Sequence, residues 1–386
     1  MEQDRPVISG GLIGEKTSPG GQASDAIHRH PSSVIPAGRV RNAISATTGW
    51  LLANRRRASG IRSTRLTEFR ADRSVCGCDF VERALDSTGV RPQARRPFDL
   101  DLFDRYPPSR MPEFTVHTLL KTPTVTVRDV YCQGRCRHKS AEECASATHL
   151  VFPYRGAYVR HLGRDEAVAE ASQVLFFNAI EGYRVSHPIA GGDASVDLVV
   201  NEGLLRELAP EALLRDTATV AFREQRLRID PRAQALAALL RHSLHQGTAD
   251  ALEAESLALT LVQRVLGPRT THAPRASLGR QRLVDRVKLV VASDLSRRWA
   301  LADIAAEVGC SAVYLTQVFQ QVEGVPLYRY QLRLRLARAL DLVGQYDDLS
   351  ALSLDLGFSS HSHFSAAFQQ TYGRSPSEFR QSARHR

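Results

Sequence analysis

The chain has 386 residues, 43% of them hydrophobic, and a formal net charge of +10. That length carries two or three domains with real cores, and no apolar run approaches the roughly 20 residues of a membrane helix, which excludes a spanning role. Lys+Arg minus Asp+Glu is +6 over residues 1–110, −2 over 111–266 and +6 over 267–386, so different segments are expected to meet different partners, some of them anionic.

Residues 1–110 hold Arg-, Ser- and Pro-rich stretches such as "NRRRASGIRSTR" and no sustained apolar periodicity. Such a segment buries too little to offset its ordering entropy and is expected to be disordered. Met occurs only at positions 1 and 111. A reading frame extended beyond a true start at Met111 and a genuine disordered arm stand as equal alternatives. The N-terminal "MEQDRPVISGGLIGEK" lacks a basic-then-apolar signal, so the expected compartment is the cytoplasm. Six Cys stand at 76, 78, 132, 136, 144 and 310, and a reducing compartment argues against a disulfide framework.

Residues 111–200 read as β. "TPTVTVRDVYC", "THLVFPY", "GAYVRHLG", "SQVLFFN", "YRVSHPI" and "ASVDLVV" are short β-branched or aromatic runs between Gly, Asn, Pro and Asp. That spacing predicts a small antiparallel barrel or jelly roll. Within it, Cys132, Cys136 and Cys144 fall close enough to hold zinc, although their C-x3-C-x7-C spacing fits no standard pattern and inert buried thiols are the plainer reading. No catalytic residue is expected, because His149, His161 and His187 are scattered without close pairing. Residues 201–266 turn helical: one helix runs from Pro231 to a stop at Gly247, and a second ends at Gly267 with Leu252, Ser256, Leu259 and Val262–Gln263 flanking one stripe. Residues 267–280 read as a linker.

The last segment contains a repeat. "GCSAVYLTQVFQQVEGVP" and "GFSSHSHFSAAFQQTYGRSP" align with an offset of 49, pairing Leu315 with Phe364, Phe319 with Phe368 and Gly324 with Gly373. In the first copy "LADIAAEVG" puts Ile304, Ala305 and Val308 on one face, Gly309 turns the chain, and Ser311 caps a second helix. There Leu315, Val318, Phe319 and Val322 face inward. In the second copy Leu352 and Leu356 precede the Gly357 turn, Phe358 plugs the corner, and Phe364, Ala367 and Phe368 face inward. Each copy is a helix-turn-helix. Between them "LYRYQLRLRLARALDLV" predicts a rod of about 26 Å with Arg329, Arg333, Arg335 and Arg338 outward.

On these motifs residues 281–386 resemble the C-terminal DNA-binding domain of AraC/XylS-type transcriptional regulators, and the β-then-helix middle resembles that family's cupin-like module in architecture. The resemblance implies an α+β chain: a cupin-like effector-sensing barrel over 111–200, a dimerisation segment over 201–266 and an all-α double helix-turn-helix domain. It implies promoter DNA, a small-molecule effector, RNA polymerase and a second copy of the chain as partners, and no enzymatic activity. The first reading helix would present Ala312, Val313, Thr316, Gln317 and Gln320 behind the Ser311 cap. The second would present His361, Ser362, Ser365, Ala366 and Gln369, with Arg333 of the rod on phosphate. These faces lack the Arg or Lys that family members often carry, so adenine contacts by Gln are open to them and Arg–guanine contacts are not. The effector expectation falls on Tyr154, Arg155, Tyr158, His161 and His187. No cofactor is expected beyond zinc at Cys132, Cys136 and Cys144. The alternative is a Cys-based alkyl-acceptor DNA-repair regulator with an AraC-like domain, but that family carries a C-x2-C motif absent here and lacks a barrel.

Overall fold

A computed structural model describes residues 114–134, 137–267 and 276–384. The expectations for residues 1–110, and for Cys136, lie outside that range.

The described residues form ten strands: β1 Phe114–Lys121, β2 Val125–Cys132, β3 Glu143–Cys144, β4 His149–Arg155, β5 Tyr158–Leu162, β6 Asp165–Ala169, β7 Gln173–Phe177, β8 Gly182–Ser186, β9 Asp193–Val200 and β10 Arg226–Arg228. They form two sheets, ordered β1-β2-β9-β4-β7-β10 and β3-β8-β5-β6, with every pairing antiparallel. The result is a curled half-barrel. Alternation sorts its side chains: Val127, Leu150, Phe152, Val174, Phe176, Val196 and Leu198 leave one face of the larger sheet, while Val151, Leu175 and Phe177 leave the other and meet Tyr158 and Ala169 of the smaller sheet. Six of the strands were legible as apolar runs; β1, β3, β6 and β10 were not.

Helix α1 spans Glu202–Leu208, α2 Pro231–Gln246 and α3 Ala251–Leu266. Asp230 caps α2 by accepting from the Ala233 N–H, Pro231 opens it, and Gly247 ends it in the left-handed region. Both α2 and α3 lie on the larger sheet, where Leu240, Ala254, Ala258, Leu261, Val262 and Val265 complete the core. The expected stripe on α3 holds at Val262 and partly at Leu259 but fails nearer the helix start. Leu252 is 74% exposed, and Ala254 and Ala258 point inward in its place, because small residues let the helix approach the sheet closely. The side of α2 opposite the sheet is covered by the C-terminal helices. There Ala238 joins their core, and His242 Nε2 lies 2.8 Å from the Leu340 carbonyl.

Seven further helices complete the fold: α4 Leu278–Ser293, α5 Leu301–Glu307, α6 Ala312–Glu323, α7 Leu327–Leu342, α8 Leu349–Asp355, α9 His361–Tyr372 and α10 Pro376–Arg384. Helix α4 already begins inside the stretch read as linker, of which residues 268–275 lie outside the described range. Helix α7 is shared by two cores. Its Tyr330 and Leu334 pack with Val284, Ile304, Leu315 and Phe319, and its Leu336, Ala339 and Leu340 pack with Leu352, Phe364 and Phe368. Among the described residues no helix is long and apolar enough to cross a membrane.

Candidate nucleic-acid interface

The two copies present matching surfaces. Ser311 accepts from the Tyr314 N–H at 3.2 Å and Ser360 accepts from the His363 N–H at 3.1 Å, so each reading helix opens with a satisfied cap. Leu315, Val318, Phe319 and Val322 are buried on α6, as are Phe364, Ala367 and Phe368 on α9. Each buried Leu, Val or Phe side chain among these contributes roughly 1.5–3 kcal/mol by leaving water. What remains outside is set by the same period: Ser311, Val313, Thr316, Gln317 and Gln320 are exposed and Ala312 is half-buried, while His361, Ser362, Ala366 and Gln369 are exposed and Ser365 is half-buried.

The copies differ by one residue. Helix α8 starts 48 residues after α5, yet α9 starts 49 after α6. The extra residue lies in the second turn, where Phe358 is buried against Phe364 with ring centroids 5.2 Å apart. Gly357 there has φ +76°, and a Cβ would stand 2.2 Å from the Ser296 carbonyl oxygen, so the turn is pressed onto the loop after α4.

Sequence reasoning placed four Arg on the outer face of the rod; the structure keeps only Arg329 fully exposed. Arg335 donates to three backbone carbonyls, of Leu295 at 2.7 Å, Arg297 at 2.7 Å and Gly357 at 3.2 Å, and so ties the first copy to the second. Arg338 pairs with Asp341, and Arg333 is half-buried, with its charge felt at Tyr372. An i→i+2 spacing on a helix cannot keep Arg333 and Arg335 on one face. Arg335→Met should lower the global unfolding free energy by about 2–3 kcal/mol, the scale of charged hydrogen bonds lost at once. Chemical denaturation reads this directly, and an unchanged midpoint would mean the tie is ornamental.

The helix-turn-helix pair is held to the half-barrel by two buried charge clusters. In one, the fully buried Lys288 of α4 lies 2.8 Å from Glu323 of α6 and 3.4 Å from Glu170 of the half-barrel, and Arg226 of β10 pairs with Asp285 at 2.9 Å. In the other, Asp341 of α7 is contacted by Arg241 of α2 at 2.5 Å, Arg155 of β4 at 3.3 Å, and Arg338. Sequence reading missed both clusters, because partners up to 186 positions apart leave no local signal.

The five effector candidates do not converge. Tyr154 donates to Asp129 at 2.8 Å and lies under the Arg241 guanidinium, and together with Arg155 it faces the C-terminal helices. The cavity there has about 20 Å³, room for one water. His161 is held on the opposite side of the smaller sheet by Ser186 at 2.8 Å and Glu166 at 3.1 Å. Tyr158 and His187 alone share the half-barrel interior, their rings 6.0 Å apart. Arg160, deeper in the same space, is 0% exposed. Its Nη1 donates to the Phe176 carbonyl, its guanidinium lies 4.1 Å above Phe177, and its Nε has no hydrogen-bond partner among the described residues. Burial pushes the Asp197 carboxyl in this interior up to about 7.

Of the three cysteines expected to form a thiol cluster, Cys132 and Cys144 are among the described residues. Cys144 is disulfide-bonded, which corrects the expectation of free thiols and removes one of the three zinc ligands. Cys132 stands elsewhere, beside His187 and Asp193. Burial pulls the His187 imidazole down, but Asp193 and Cys132 outweigh it and lift the pKa to about 11. Cys310 is free and half-buried in the first turn.

Two capped helix-turn-helix units joined by one shared rod define a double helix-turn-helix domain, and the comparisons agree. Residues 304–382 match a family model described as a helix-turn-helix domain. An uncharacterized HTH-type transcriptional regulator, YidL, of Escherichia coli is 32% identical over 25% of this chain and 33% of its own length. The probable transcriptional regulator LumQ of Photobacterium leiognathi is 26% identical over 61% of this chain and 92% of its own. A solved transcriptional regulator with an AraC-type DNA-binding domain, from Chromobacterium violaceum, is 32% identical over 27% of this chain and 96% of that one, at a TM-score of 0.26. The C-terminal region of this chain is an AraC-type helix-turn-helix domain.

Proposed function

We propose that the chain is a cytoplasmic, non-enzymatic transcriptional regulator that reads promoter DNA through α6 and α9 under control of a small molecule held in the half-barrel. The observation that carries the reading is the duplicated surface: two capped helices, each with its apolar side spent on a core and its outer side made of Ser, Thr, Gln and His. Such groups read base edges by hydrogen bonds and position the protein on phosphate. The Arg160 guanidinium and Asp197 carboxyl suit an effector bearing an acidic or amide group. The charge clusters on Lys288 and Asp341 connect the half-barrel to α4, α6 and α7. RNA polymerase is the expected protein target, and a second copy pairs through the outer face of α3, where Leu252 is exposed in the first turn. The disulfide at Cys144 weighs against the alkyl-acceptor alternative, which needs a set of free thiolates.

The testing experiment selects binding sites from random DNA with the full chain and then measures variants on them. Gln317→Ala should relax base preference at one position by about 1–3 kcal/mol and leave nonspecific affinity nearly intact. Gln317 is the sharpest probe because it is exposed between inward-facing Leu315 and Phe319. A uniform loss across all sequences would place α6 outside the groove.

A further inference from the structure

We propose that Cys132, His187 and Asp193 form a binding site for zinc or a chemically similar thiophilic divalent cation. One sulfur, one ring nitrogen and one carboxylate oxygen lie within 4.8 Å of one another. Donors around a tetrahedral zinc stand roughly 3.3–3.8 Å apart, so small side-chain rotations bring this set to ligating distance.

Three features make the group a built site. First, its backbone is fixed: Cys132 and Asp193 are cross-strand partners at the joined ends of β2 and β9, on the face that looks into the half-barrel. Second, the return from His187 is pressed against them. Gly192 has φ +67°, and a Cβ there would stand 2.4 Å from the Cys132 carbonyl oxygen. Third, the buried Asp193 Oδ2 lies 2.9 Å from His187 Nε2 and accepts no well-aligned hydrogen bond among the described residues. A cation satisfies this oxygen, and the histidine beside it is buried, with 4% side-chain exposure.

The donor chemistry selects the metal. Thiolate plus imidazole favours zinc over magnesium or calcium, which take oxygen ligands. Two anionic donors neutralise a dication in a buried setting. Three protein ligands leave a fourth position, open to water or to a donor atom of the effector. The cation displaces the His187 proton, so binding competes with protonation.

Cobalt(II) titrated into the metal-free full chain is the test. One equivalent should give a thiolate-to-cobalt charge-transfer band that zinc bleaches. Cys132→Ser should abolish the band, His187→Ala and Asp193→Asn should weaken binding by more than the roughly 10–100-fold that outer-shell changes cost, and Cys310→Ser should leave it intact. Zinc should also slow alkylation of Cys132 in the wild-type chain, read by peptide mass spectrometry, which needs no variant to fold. A missing band, a band that survives Cys132→Ser, or alkylation indifferent to zinc would each overturn the site. DNA binding measured in parallel keeps this outcome separate from the regulator reading.

Discussion

Asp341→Ala should destabilise the chain by about 3–5 kcal/mol, the cost of breaking a buried ion pair from one side. The carboxylate has 0% side-chain exposure and is shared by Arg241, Arg155 and Arg338. Its removal leaves three guanidinium groups, two of them from the half-barrel side, crowded without a counter-charge. The second consequence is mechanical. Because α7 carries Asp341 and also packs in both helix-turn-helix cores, the variant should loosen the half-barrel from the reading helices as well as lower the melting temperature. Hydrogen exchange should show early opening of α2 and α7, while the two apolar cores keep their protection. Acid does not reproduce the variant at moderate pH. Burial raises the Asp341 pKa, but the three Arg outweigh it and hold it below the ordinary carboxylate value. The stabilisation is therefore fully present above about pH 4 and is lost only as pH falls through the depressed value. A variant that melts like the wild type would show that the cluster contributes no net stability.

Phe319→Ala and Phe368→Ala should each cost about 3–5 kcal/mol. Both rings are 0% exposed, and each is central to a different core. Phe319 meets Tyr330 edge-on with centroids 5.2 Å apart, so its loss frees the first end of the rod. Phe368 contacts Phe364, Tyr372 and Phe379 with centroids 4.7 to 6.0 Å apart, so truncation opens a cavity that three other rings cannot close without leaving their rotamers. The two losses should fall on different helices. Phe319→Ala should expose α6 while α9 stays protected, and Phe368→Ala should do the reverse, because the two apolar cores draw on different helices apart from the shared α7. Equal loss of protection in both would mean that the domain unfolds as one unit.

The parts of this molecule governed by short-range periodicity were legible in the sequence. Leu315, Val318, Phe319 and Val322 repeat at three and four, Ser311 precedes them, and a glycine ends them, so the helix, its cap and its buried side follow from local rules. Residues facing outward, Gln317 and His361 among them, followed by subtraction. The half-barrel was legible as a class because β-branched runs between turn residues admit few alternatives, yet β6 escaped notice because "DEAVA" lacks that composition. Phase was lost nearer the start of α3, where Ala254 and Ala258 do the packing and hydrophobicity alone favoured Leu252. The charges were misread for a different reason. Arg335 and Arg338 look solvent-seeking in sequence, and their partners, backbone carbonyls of a distant loop and a buried Asp341, become visible only when the chain is folded. The same holds for Cys132, whose neighbours His187 and Asp193 arrive through strand pairing and not through Cys spacing.

Joint engagement of DNA by both helix-turn-helix copies, held in register by α7, is the expected mode of binding. Hydroxyl-radical footprinting of the full chain on a selected site tests it most directly. The rod of 16 residues is about 24 Å long, so the account predicts two protected backbone regions about one helical turn, roughly 34 Å, apart on one side of the duplex. Both should weaken as salt rises, and Gln317→Ala should change base preference under one of them alone. A single protected region, unaffected by Phe368→Ala at a temperature where that variant has lost α9, would contradict it.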